Sequence, residues 1–162
     1  MENLEFVKSY VSRPMRPGET DGDMYYFISD EEFKEIIEDD WFLEYAYVHQ
    51  AGYYGTKKSD ILDGIEAGKI LMSEVDYQGL AQMKENIPEF KKHYTTLFLN
   101  VPEDTMIARN KERNPDVSQD EIDKRLISLR EEAKDLDDYD YVIDATQTPE
   151  QVMEDVLDIM NK

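Results

Sequence analysis

Hydrophobic and polar positions divide the chain into short strands followed by helices. Residues 4–11 and 24–28 read as strands, and Ser29-Asp30-Glu31-Glu32 has the Ser-x-x-Glu form of a capping box. A helix should follow it with Phe33, Ile36 and Ile37 on one face. Residues 41–48 are rich in aromatic and β-branched side chains and read as a strand interrupted by Glu44. Gly52-Tyr53-Tyr54-Gly55 reads as a turn or short strand, and 57–67 as a helix with Gly68 just past its end. A buried strand over 70–75, a helix over 78–86 and a strand over 94–101 come next. Pro102-Glu103-Asp104 starts another helix, which breaks at Asn114-Pro115-Asp116. Ser118-Gln119-Asp120-Glu121, a second capping box, opens a long charged helix. A strand over 139–144 and a Thr148-capped helix with Pro149 in its first turn and an apolar stripe at Val152, Val156, Ile159 and Met160 close the chain. Strands alternating with helices from Ile70 onward predict a parallel sheet, and the strand-rich part before it an inserted mixed lobe.

One loop stands out from this alternation. In Ser9-Tyr10-Val11-Ser12-Arg13-Pro14-Met15-Arg16-Pro17-Gly18 a strand runs into two prolines and a glycine. The prolines fix the backbone where a ladder would otherwise continue, so Arg13 and Arg16 sit on a stiff segment. A guanidinium fork suits bidentate recognition of phosphate or carboxylate. The same residues could equally pair with the chain's own surplus of carboxylates. Glu44 also has two readings: a lone acid in a strand ordinarily faces solvent. Acidic and polar groups around Glu74 and Asp76, just past a strand end, lie where open α/β sheets place ligands.

Composition narrows the classes. With 38 acidic against 18 basic residues the net charge is −20, which argues against nucleic acid as a partner. An anionic ligand must then be drawn in by a local basic cluster against the global field. No apolar run is long enough to span a bilayer, and the acidic start Met1-Glu2-Asn3-Leu4-Glu5 does not have the form of a signal peptide. The absence of cysteine excludes disulfides and thiolate metal sites and suits the cytoplasm.

The segment from Ser9 through Glu19, followed by Asp21-Gly22 and Tyr25-Tyr26-Phe27, resembles the stretch that opens the GMP-binding region of guanylate kinases. Phe42-Leu43-Glu44-Tyr45-Ala46, Gly52-Tyr53-Tyr54-Gly55-Thr56 and Glu74-Val75-Asp76-Tyr77-Gln78-Gly79 follow in that family's order. The resemblance implies an α/β fold: a P-loop-kinase-like parallel sheet core with an inserted mixed-β GMP-binding lobe and a helical lid. It implies one domain over 1–162, with the lobe at about 12–69, the core at 1–11 and 70–162, and the lid at about 103–130. Arg13, Arg16, Tyr25 and Tyr54 would hold the GMP phosphate. Ser9, Glu44, Thr56 and Asp76 would read the base, with Glu74 nearby. Guanine presents N1–H and a 2-amino group, which suit a carboxylate, and O6, which suits a hydroxyl. Arg109, Arg113 and Arg125 fall where the family places lid arginines that steady the transferring phosphoryl group.

The ATP half of such a kinase does not appear. Phosphoryl transfer uses Gly-x-x-x-x-Gly-Lys-Ser/Thr, whose backbone cradles phosphates and whose hydroxyl holds Mg²⁺. Only eight residues precede Ser9, and the chain's Gly-Lys pair, Gly68-Lys69, is followed by Ile70. The core is therefore expected to lack its first strand, P-loop and helix. The two strands flanking the gap must then close up, or 4–11 must shift, or a second copy or partner chain must supply a strand. Three functions follow as expectations: a GMP-binding protein without kinase competence of its own; an active guanylate kinase, using Mg²⁺ with ATP, whose ATP site is unusual or supplied in trans; and a module that grips phosphorylated peptides. No resident metal or tightly bound cofactor is expected.

Overall fold

The computed structural model describes residues 3–48, 51–86 and 88–161, so Met1 and Glu2 of the acidic start lie outside it. The chain divides into two compact units, 1–92 and 93–162.

The first unit holds β1 (Leu4–Phe6), β2 (Ser9–Val11), β3 (Tyr25–Phe27), α1 (Asp30–Glu38), β4 (Phe42–Val48), β5 (Gly52–Lys57), α2 (Lys58–Glu66), β6 (Ile70–Met72) and α3 (Tyr77–Asn86). The single strand predicted over 4–11 is two strands in two sheets: β1 pairs in parallel with β6, while β2 joins a mixed sheet of order β3-β2-β5-β4. The reason lies in the side-chain phase. Leu4 and Phe6 share one alternation, and Val7, Ser9 and Val11, all buried, share the opposite one. The slip at Val7 marks the crossing, where its N–H still bonds the Met72 carbonyl.

The mixed sheet has two different faces. Tyr10, Tyr26, Gly55 and Tyr45 are in register on one of them. Helix α1 covers that face through Phe33, which is fully buried and stacks on Phe42 and Tyr53. The capping box that opens α1 forms as predicted, Ser29 accepting from Glu32 N–H while the Glu32 side chain returns to Ser29 N–H. The other face carries Ser9, Val11, Tyr25, Phe27, Glu44, Ala46, Tyr54 and Thr56.

Strand β6 is shorter and more open than the buried strand predicted over 70–75. Ile70 and Met72 are exposed, because its ladder neighbour among the described residues is β1 and it rests on α2 through Leu71. Gly68, at φ +71°, ends α2 in the predicted place.

The second unit holds β7 (Leu97–Asn100), α4 (Glu103–Arg113), α5 (Gln119–Glu132), β8 (Tyr141–Asp144) and α6 (Pro149–Met160). Strands β7 and β8 pair in parallel across the α4–α5 crossover, burying Phe98 and Ile143 and leaving Leu99 and Val142 exposed. Thr148 forms its capping box, whereas at Ser118 the side chain accepts from Glu121 N–H and the reciprocal half is not formed. Arg130 ties the helices by a two-pronged ion pair to Glu103, at 2.7 Å on each oxygen.

Candidate functional site

A run of unusual polar residues lies on the sheet face that α1 leaves uncovered. Ser9, Tyr25, Glu44, Tyr54 and Thr56 arrive there from four different strands by register alone. Glu44 reaches it through a β-bulge. Phe42 pairs with Lys57 and Glu44 with Thr56, so β4 spends two residues where β5 spends one. Without the bulge Phe42 and Glu44 would share a face. With it, Phe42 packs on Phe33 and Glu44 turns to the opposite side.

Glu44 is 5% exposed, so its solvent-facing reading fails. Burial pushes its carboxyl up to about 7, with the nearby Asp76 charge adding to the rise. Thr56, beside it, tempers the rise. Its hydroxyl is buried and makes no well-formed hydrogen bond among the described residues. Asp76 precedes α3 and accepts from Gly79 N–H at 2.9 Å; burial raises its pKa while the N–H groups of Gly79 and Gln78 lower it. A Cβ on Gly79 would overlap Glu44 Oε2 and lie 2.8 Å from Val75 Cγ1, so only glycine lets the α3 turn approach this carboxylate. A buried acid, a half-buried one and a hydroxyl without a partner among the described residues thus converge beside the first turn of α3. This is a set able to accept two N–H donors and give one hydrogen bond back.

The basic end is built differently from its prediction. Arg13 is 5% exposed, with its guanidinium carbon 5.3 Å from the ring centres of Tyr25 and Phe27 and 5.8 Å from that of Tyr54. Its fork is occupied: Nη1 and Nη2 donate to the two oxygens of Glu19 at 2.6 and 2.7 Å. Nε donates to the Tyr54 hydroxyl at 2.6 Å, and Nη1 also to the Pro14 carbonyl. The self-pairing reading therefore holds for Arg13. Arg16 is exposed, and its guanidinium makes no hydrogen bond or ion pair among the described residues. Tyr25 donates to Glu74 at 3.3 Å, joining a predicted phosphate residue to a predicted base-side residue.

The predicted lid arginines all belong to the second unit. Arg109 and Arg113 lie exposed on α4, and Arg113 donates to Asn110 at 3.4 Å. Arg125 on α5 pairs with Glu121 at 2.9 Å, and its Nε is buried without a partner among the described residues. Lys69 of the Gly-Lys pair is ion-paired to Glu5 across the β1–β6 ladder.

This geometry can be set beside known proteins. The family model described as guanylate kinase matches residues 2–162. The chain belongs to the guanylate kinase family. It is 33% identical over 138 residues to the guanylate kinase of Sulfurimonas denitrificans, covering 85% of this chain and 65% of that one. With the guanylate kinase of Caldanaerobacter subterraneus it is 37% identical over 142 residues, covering 88% and 66%. The crystal structure of guanylate kinase from Anaplasma phagocytophilum superposes with a TM-score of 0.76 at 25% identity, covering 99% of this chain and 76% of that one. The α/β guanylate kinase fold, with parallel pairs and a mixed sheet, is therefore as the motifs implied. The chain spans about two thirds of the length of these curated relatives. Among the described residues no helix is long and apolar enough to cross a membrane, and no group of three or more His, Asp or Glu side chains could hold a metal ion.

Two residues of this candidate site in the guanylate kinase family chain have no role implied by the motifs alone. Glu19 was part of the matching motif, and its place six residues after Arg13 and beyond the Gly18 turn was the available signal. Gly79 closed a second motif, but its reason, a close approach to Glu44, is set by tertiary packing.

Proposed function

We propose that this guanylate kinase family chain binds GMP or a related guanine nucleotide and does not phosphorylate it unaided. The observation that carries this reading is the convergence of Glu44 and the Thr56 hydroxyl, which has no partner among the described residues, on one sheet face with Asp76 beside them, and with Arg16 and Tyr54 on the same unit. Guanine's N1–H and 2-amino group match the carboxylates, and O6 matches the hydroxyl. Ser9 lies on this base side, and Glu74 links it through Tyr25 to the phosphate side. A site that leaves buried polar groups unpaired for the wrong base discriminates strongly. In this reading 1–162 act as one guanylate kinase-like domain, with about 12–69 holding GMP and about 103–130 forming the lid that carries Arg109, Arg113 and Arg125.

The limit on catalysis is chemical. These 162 residues contain no Gly-x-x-x-x-Gly-Lys-Ser/Thr, and Gly68 and Lys69 are engaged in a helix end and an ion pair. Without that cradle the residues present do not fit MgATP, and arginines alone do not replace its positioning. Among the described residues β6 has β1 and β7 has β8 as its ladder neighbour, and the other edge of each is a place for a strand from a second copy or a partner chain.

Competition binding tests the specificity. GMP should bind while AMP, which presents an acceptor at N1, should not. Glu44→Gln should weaken GMP by roughly 10²-fold through loss of a charged acceptor. Equal affinity for AMP and GMP would end this assignment.

A further inference from the structure

The predicted phosphate-binding fork of Arg13 is already used within the protein. A guanidinium has five N–H groups. In Arg13, Nε serves Tyr54, Nη1 serves Pro14 and Glu19, and Nη2 serves Glu19, so one N–H, on Nη2, remains. The ring faces of Tyr25, Phe27 and Tyr54 pack around the group. Arg13 is therefore not a free fork awaiting an anion.

Glu19 is the other half of the device. Besides both Arg13 nitrogens, its Oε2 accepts the backbone N–H of Arg16 at 2.7 Å, and its own N–H bonds the Arg16 carbonyl at 3.1 Å. One carboxylate thus fastens the start of the loop to its middle, and Gly18, at φ +88°, supplies the turn that brings Glu19 back. Two things follow for an approaching anion. The Arg16 side chain projects from a backbone that has been fixed. The Tyr54 hydroxyl, having accepted from Arg13 Nε, keeps its own proton to give. The Glu19 carboxyl is held down to about 2, chiefly by Arg13, so the clamp is charged at any ordinary pH.

We propose that Glu19 is a positioning residue of the phosphate subsite: it holds the Arg13 guanidinium and the Arg16 backbone in one clamp that survives ligand binding. It leaves Arg16, the Tyr54 hydroxyl and a single Arg13 N–H to meet a phosphate monoester. This inference rests on the GMP reading, and it assigns the loop's carboxylate a role distinct from a competitor that the ligand must evict.

The test combines three ligands with one spectroscopic probe. Wild type and Glu19→Gln are titrated with GMP, guanosine and inorganic phosphate. The Arg13 Nη signals of the wild type are followed by NMR with and without GMP. The clamp predicts that Glu19→Gln binds GMP and phosphate roughly tenfold or more weakly, the loss of a charge-assisted hydrogen bond, while guanosine is unchanged. It also predicts hindered rotation of the Arg13 guanidinium before and after GMP is added, a readout that needs no variant to fold. Release of that hindrance on GMP binding, or tighter phosphate binding by Glu19→Gln, would make Glu19 a competitor and overturn the proposal. So would an equal loss for guanosine and GMP, which marks a defect of the fold. If wild type binds phosphate but not GMP, the guanine reading fails and the clamp is judged on phosphate. If it binds neither, both fail.

Discussion

Glu44 carries the sharpest consequences at the scale of a single residue, because its folded environment opposes its charge. Its carboxyl titrates near 7 in the folded chain, against an ordinary 4.5. The raised value means that the folded state keeps a proton the unfolded chain has already released. The wild type therefore loses stability as pH rises from about 4.5 through 7, by at most roughly 3 kcal/mol. Glu44→Gln removes this titration. In thermal melts it should gain on the wild type at pH 8 and lose that gain at pH 4. Binding should show the mirror image: donors on guanine favour the carboxylate, so wild-type affinity for guanosine should fall as pH drops below 7. Gly79→Ala is predicted to be costly at the same place. Its Cβ has no room beside Glu44 and Val75, and overpacking of this kind costs about 1–3 kcal/mol. A Gly79→Ala protein that melts and binds GMP like wild type would contradict the close approach. Neither residue was legible from pattern alone. An acid inside a strand ordinarily faces water, and what buries Glu44 is a bulge that periodicity does not announce.

Helices and caps were the readable elements, because their signals are local. Ser29 with Glu32 and Thr148 with Gln151 form the boxes their spacing suggests, and Gly68 ends α2 where the apolar period stops. Strands were harder. Whether β1 and β2 belong to one sheet or two depends on partners far along the chain, and the only local trace is the phase slip at Val7. The packing of α1 on the mixed sheet gives the prediction proper to this scale. Phe33 is fully buried and stacks on two aromatic rings, and Gly55 leaves room for it. Phe33→Ala should therefore cost about 3–5 kcal/mol in denaturant unfolding. Since Phe33 lies on the face opposite Glu44 and Thr56, the folded fraction of that variant should still bind guanosine. Ser29→Ala should cost only about 1 kcal/mol, the value of a lost N-cap.

For the whole molecule, the question is which half of a nucleotide kinase these residues supply. The groups proposed to read the base and face the phosphate all lie within the first unit, between Ser9 and Gly79, and the motifs that carry them stand in the sequence in the family's order. Among the described residues β6 pairs with β1 and β7 with β8, and whether a further strand joins either one is not written in the chain's own pattern. If a second copy or a partner supplies that strand, sedimentation at rising concentration should show association. Charged substitutions at Leu99 should then reverse it. The central claim is best tested by calorimetric titration of the purified chain with GMP, followed by ATP with Mg²⁺. GMP should bind and MgATP should not. Absence of heat with millimolar GMP would contradict the guanine site, and saturable MgATP binding with GMP-dependent release of ADP would contradict the proposed lack of kinase competence.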